Sequence, residues 1–193
     1  MTVPNFRQDP WTRVRTLHDL PADEVISSLQ KEIRRGNLDN AALLAYEMVT
    51  TSAEMEAYLW ERVQVIAVED VGFGAVQAPI LIETLFQQHS RLARPRHDRY
   101  LFAIHAVRYL CASLKERGSD HLLNWLSRVS ESGDVLPVIP DYAIDMHTRR
   151  GQEMGRGIEH FLSEASQVSP ELPDRDRTYQ ERLIELLKNS STP

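Results

Sequence analysis

The chain has 193 residues, 42% of them hydrophobic and 7% aromatic, with a formal net charge of −6. That suffices for a buried core in one domain with a small appendage, and the acidic balance excludes a basic nucleic-acid footprint spread over the whole chain, leaving only local arginine clusters. Cys111 is the single cysteine, which excludes an internal disulfide and a cysteine-based zinc site.

Asp9-Pro10-Trp11 reads as a helix start, with Asp9 as N-cap and Pro10 in first position, and predicts a short helix to about His18. Leu20-Pro21 breaks it. From Ala22 to Arg35 the apolar residues Val25, Ile26, Leu29 and Ile33 fall on one helical face, and Gly36 closes that helix. A second helix is predicted from Leu38 to Thr50, with Ala41, Leu44, Ala45 and Met48 on one side. Thr51 and Glu54 have capping-box spacing and open a third helix that ends near Asp70. A fourth covers Ala75–His89, with Pro79 tolerated in its first turns. Arg91–Arg96 is a basic loop. Asp98 then caps a long helix to Arg117, apolar almost all round and so expected to be the most buried. Gly118 stops it, and Ser119 caps the next helix, to Ser130.

From Ser132 the character changes to a proline-punctuated connector, Gly-Asp-Val-Leu-Pro-Val-Ile-Pro. Asp141–Gly157 is polar and has no clean period. Ile158–Ala165 reads as helical and Ser169–Arg177 as a linker. Thr178 with Glu181 suggests a capping box for a terminal helix carrying Leu183, Ile184 and Leu187 on one face. The expected class is all-α, organised as an N-terminal arm (1–21), a helical core (22–131), a polar extension packed on that core (132–168), and a linker with terminal helix (169–193). The N-terminus lacks the apolar stretch of a signal peptide, and no apolar run is long enough to span a bilayer, so a cytoplasmic protein with no membrane partner is expected. The initial methionine suggests a whole gene product.

The most informative stretch is Arg62–Gly72, R-V-Q-V-I-A-V-E-D-V-G. Two carboxylates, Glu69 and Asp70, stand at the negative end of a helix dipole, which disfavours them unless an arginine or free N–H groups wait nearby. Arg62 lies two turns earlier on the same face. Arg62, Glu69, Asp70 and Gly72 are therefore expected to form a structural polar motif.

This stretch is similar to R-x-x-x-I-A-x-E-D-[IV]-G of the C-terminal domain of the MgsA/RarA AAA+ ATPases, replication-associated recombination proteins related to clamp loaders. Leu29, Lys31, Ile33, Arg34, Asp39, Ala41, Ala42 and Leu43 align with a second motif of that family. Ala106–Lys115, A-V-R-Y-L-C-A-S-L-K, resembles a third, and His147, Thr148, Gly151, Gly155 and Gly157 align more loosely with a fourth. The resemblance implies a compact multi-helix domain like a clamp-loader collar, with a less regular C-terminal extension. It also implies self-association, as a homotetramer or next a dimer, and a role in DNA replication and repair with a separate AAA+ ATPase as partner. The chain contains no G-x-x-x-x-G-K-[ST], so ATP hydrolysis is not expected and no cofactor is assigned.

Four other features invite chemistry. Gly72-Phe73-Gly74 resembles part of a phosphate loop but reads better as a helix–helix turn. His97-Asp98 matches the metal-binding dyad of HD phosphohydrolases, with His89, His105 and Asp145 as recruits; Asp98 as a helix cap explains it without metal. Cys111, on an apolar helix, reads as an inert buried thiol. Asp141–His160 holds Asp141, Asp145, His147, Glu153, Glu159 and His160 as possible ligands. His147, Thr148, Arg149, Arg150, Gly151, Gly155 and Arg156 form the candidate anion site, because arginine forks beside glycine backbone suit phosphate or nucleic acid. The reading from these residues is a non-catalytic assembly module. The alternative is a small metal- or phosphate-dependent hydrolase using His, Asp and Arg of 97–160.

Overall fold

A computed structural model describes residues 9–190 of the chain. All regular structure among them is helical, apart from one isolated bridge between Arg15 and Pro21, so the fold is all-α as expected. The chain divides into two compact units, Met1–Asp134 and Val135–Pro193.

The first unit holds the core. Its helices are α1 (Ala22–Arg35), α2 (Leu38–Thr51), α3 (Ala53–Ile66), α4 (Ala78–Ser90), α5 (His97–Ala112) and α6 (Gly118–Ser132). Helix α2 packs on α1, α3 and α5, while α5 also packs on α4. Val25, Ile26, Leu29 and Ile33 of α1 point inward as their spacing requires, and Gly36 closes the helix at φ 75°. The inner side of α3 carries Met55, Leu59, Trp60, Val63 and Ile66, all buried. At its end α3 widens into a π-turn, Ala67–Val71, followed by a 3-10 turn, Gly72–Ala75.

Several expected helix starts are displaced, each by a competing hydrogen bond. Asp9 does cap, accepting the Trp11 N–H at 3.0 Å, but the turn stops at Arg13. Beyond it the backbone extends to pair Arg15 with Pro21, and buried Glu47 takes the His18 N–H at 2.9 Å. Ser52, not Thr51, caps α3, accepting the Met55 N–H at 3.1 Å. The Thr51 hydroxyl is turned back to donate to the Glu47 carbonyl at 2.7 Å. Asp98 lies in the first turn of α5 and pairs with Arg96 at 3.0 Å instead of capping. That helix ends at Ala112, five residues before Arg117, because the chain turns extended at Ser113 and the Lys115 ammonium bonds the Leu110, Cys111 and Ser113 carbonyls. Glu116, not Ser119, takes the first N–H of α6.

Nor is α5 buried all round. Ala103, Ala106, Val107, Leu110 and Cys111 face inward, Ile104 is half-buried, and Leu101 and Leu114 are 65% and 76% exposed. Helix α5 meets its neighbours on one side, so half of its apolar residues point outward; α3 supplies the larger buried side chains.

The second unit contains a 3-10 turn (Asp141–Ala143), α7 (Arg149–Glu153), α8 (Ile158–His160) running into a π-turn (Phe161–Ala165), and α9 (Thr178–Ser190). Among its described residues only Ile144 and Gly151 are buried. The side chain that serves the start of α9 is Asp176, accepting the Thr178 N–H at 2.9 Å, and not a Thr178–Glu181 box. No helix among the described residues is long and apolar enough to cross a membrane.

Candidate functional site

The π-turn sets the geometry of Glu69 and Asp70. In an α-helix adjacent residues diverge by about 100°; the wider i→i+5 turn reduces that angle. Asp70 is fully buried, at 0% exposure, and Glu69 lies partly open beside it. From α1, the Arg34 Nε donates to Asp70 Oδ1 at 2.6 Å, and its Nη2 to Glu69 Oε1 at 3.2 Å. The Gln30 amide also touches both carboxylates, at 3.1 Å and 2.9 Å. Arg117, just before α6, donates to Asp70 Oδ1 at 2.6 Å and to Asp120. That bond holds the Asp120 carboxyl below its ordinary range. Arg62 donates to the Gln30 carbonyl oxygen, and its guanidinium stands 4.0 Å from Glu69. Gln30 thus bridges the distance that separates Arg62 from Glu69 along α3.

Three guanidinium groups meet three carboxylates in this cluster, so it is formally neutral. Its chemistry is that of a clamp joining α1, the end of α3 and the start of α6. Gly72 completes it. At φ 49°, a Cβ there would stand 2.4 Å from the Glu116 carbonyl oxygen, and one at Gly74 would stand 2.4 Å from that of Leu114. The missing side chains let residues 113–117 cross the turn closely, where the Glu116 N–H donates to the Asp70 and Val71 carbonyls at 3.0 Å and 3.2 Å. Those carbonyls would otherwise be orphaned at the helix end. The Phe73 N–H, which a phosphate would need, faces the Glu116 carboxylate at 3.4 Å.

Beside the clamp an open groove lies between α3 and α6, lined by Glu61, Gln64, Val65, Val68, Asp120 and Leu123. Helix α6 buries no residue. Its Leu122, Leu123, Trp125 and Leu126 are 45–65% exposed. Sequence reading treated α6 as one more core helix and missed this uncovered side.

In the second unit, Thr148 caps α7 by accepting the Gly151 N–H at 3.0 Å. A Cβ on Gly151 would come within 1.9 Å of the Asp145 carbonyl oxygen, so this glycine serves close packing. His147 Nδ1 pairs with Asp145 at 3.0 Å and holds that carboxyl below its ordinary range. Arg156 is spent internally, donating to the Asp141 and Ile144 carbonyls at 2.7 Å each and to the Asp141 carboxylate at 2.6 Å. Gly155 provides a turn at φ 70°. Arg149 and Arg150 remain exposed. Among the described residues, no three His, Cys, Asp or Glu side chains are gathered to hold a metal ion.

A second buried carboxylate escaped the sequence reading. Glu56 of α3 is 1% exposed and accepts the Arg99 Nε at 2.8 Å; the Arg94 Nε stands 2.9 Å from its other oxygen. His89, also 1% exposed, lies 3.5 Å from it and does not join His97 or Asp98. The signal was available: Glu56 precedes Leu59, Val63 and Ile66 at helical spacing, on the buried face. Burial pushes the Cys111 thiol up to about 11, which keeps it protonated and inert.

The chain matches no protein-family profile. It is similar to the replication-associated recombination protein A of Bacillus subtilis (strain 168), 32% identical over 150 residues that make up 74% of this chain and 34% of that protein. The chain therefore spans about a third of its relative's length. The relationship to the MgsA/RarA family implied by the Arg62–Gly72 stretch is supported.

Proposed function

We propose that the chain is a non-catalytic helical assembly module, built like a clamp-loader collar. It self-associates, as a homotetramer first and a dimer second, and serves DNA replication or repair beside a AAA+ ATPase carried on a separate chain. The observation that carries this reading is the uncovered side of α6. A fifteen-residue helix that buries nothing and leaves three leucines and a tryptophan half in water has the sidedness of an interface. Val65 and Val68, 42% and 49% exposed across the groove, extend that apolar surface onto α3. Tryptophan at such a place is a common anchor of binding energy.

The clamp at Glu69 and Asp70 fits this role, because it fixes the start of α6 and so the angle at which the groove opens. The similarity to replication-associated recombination protein A supports the cellular setting. Any anion contact in the second unit rests on Arg149 and Arg150, since Arg156 is engaged. Light scattering at micromolar concentration tests the reading. Wild type is expected to be oligomeric, and Leu123→Glu with Trp125→Ala to give a smaller species of unchanged helical content. A monomeric wild type would remove the reading.

A further inference from the structure

The Glu56 cluster closes one end of the first unit and belongs to none of the surfaces discussed above. Four elements meet on it. Glu56 sits in the first turn of α3 and His89 at the end of α4. Arg99 sits in α5, and Arg94 in the loop between α4 and α5. Arg99 also donates to the His89 and Leu92 carbonyls, at 3.1 Å and 2.5 Å, which caps the end of α4. Arg94 also donates to the Val49 carbonyl near the end of α2. One carboxylate therefore holds the 91–96 loop through both of its flanking arginines.

His89 is the group in this cluster with a choice of charge. Its Nδ1 lies 3.1 Å from the Arg99 carbonyl, so the neutral ring carries its proton there and donates it. Trp60 and Phe86 wall the ring, with centroids 4.8 Å and 6.4 Å away. The charged groups facing it are Glu56 from α3 and Arg99 from α5; Arg94 stands beyond Glu56, with exposed Glu54 near it. With His89 neutral, two guanidinium groups share one buried carboxylate. A proton on His89 puts a third positive charge into the same closed space.

We propose that Glu56, His89, Arg94 and Arg99 form a proton-operated latch on the 91–96 loop, closed while His89 is neutral and released when it is protonated. Burial pushes His89 below its ordinary range, and the Arg99 charge adds to this; the Arg99 carbonyl and Glu56 oppose it. A histidine lowered in the folded state contributes stability that is fully present above its unfolded value, about 6.5, and is lost as pH falls below it. Release lets Arg94 and Arg99 part from Glu56 and frees the end of α4, while α1 and α2 stay folded.

Amide exchange read by mass spectrometry, corrected for the intrinsic pH dependence of exchange, tests this on the full chain. Protection of residues 90–97 is expected to fall at least about tenfold between roughly pH 7 and pH 5.5, with α1 and α2 unchanged. His89→Asn, whose amide keeps the donor to the Arg99 carbonyl, should abolish that pH dependence. Titration of His89 by NMR in the wild type gives a readout that survives if this variant does not fold, and should place it below the free histidine value. A loop whose protection does not respond to pH, a response that persists in His89→Asn, or a His89 titrating at or above the free value would each overturn the latch.

Discussion

Asp70 and Glu56 are both buried carboxylates in the first unit, and each is met by two arginines from other elements. They differ in what surrounds them. Asp70 belongs to a cluster whose three cations and three anions balance, with Gln30 stitching its parts together. Glu56 stands alone against two guanidinium groups and a histidine. The first arrangement is closed and indifferent to neutral pH; the second carries an imbalance that a single proton can worsen. A buried salt bridge by itself says little about stability, and the composition of the cluster decides whether it acts as a fastening or as a sensor.

The largest effect that would sharpen this contrast comes from Asp70→Ala. It strands Arg34 and Arg117 beside a buried void, and a loss of about 3–5 kcal/mol is expected in urea unfolding. A loss below ~1 kcal/mol would show that the clamp does not hold α1 to α6. Glu56→Gln should be milder, about 1–3 kcal/mol, since the amide keeps an oxygen for one arginine while turning an N–H toward the other. Equal losses at the two sites would erase the distinction drawn above. The smallest effect belongs to the exposed arginines of the second unit. Arg149→Ala with Arg150→Ala should change stability by no more than about 0.5 kcal/mol. If that segment contacts nucleic acid, the same doublet should remove salt-sensitive binding of a fluorescent single strand.

Much of the fold was readable because helical spacing and glycine stops are local signals. Val25, Ile26, Leu29 and Ile33 with Gly36 define α1 without reference to anything else. Glu69 and Asp70 were readable for a related reason: they stand where a helix dipole disfavours them, which implies a partner. Which partner was not readable, because Arg34 and Arg117 are 36 and 47 residues distant from Asp70. The capping errors share one cause. Thr51 and Ser119 have the chemistry of caps, but Ser52 and Glu116 stand better placed, and the contest is settled by backbone geometry that residue type does not specify. The arginine-rich segment 141–157 misled in the opposite direction. Its density of charge and glycine suggested a ligand, whereas Arg156 and Gly151 serve the local turns. The uncovered side of α6 escaped because an amphipathic pattern looks the same whether its apolar side is buried or waiting.

The π-turn at Ala67–Val71 constrains the number of residues as well as their identity. It fits one more residue into the last turn of α3 than ordinary winding would hold. Remove one residue and the helix can close normally, but every side chain beyond the deletion rotates by about 100°. Asp70 would then leave Arg34 and Arg117, and Gly72 would no longer lie under Glu116. The turn works as a register mark: a length change is tolerated in the exposed connector 133–140, but here a single insertion or deletion disconnects α1, α3 and α6 at once.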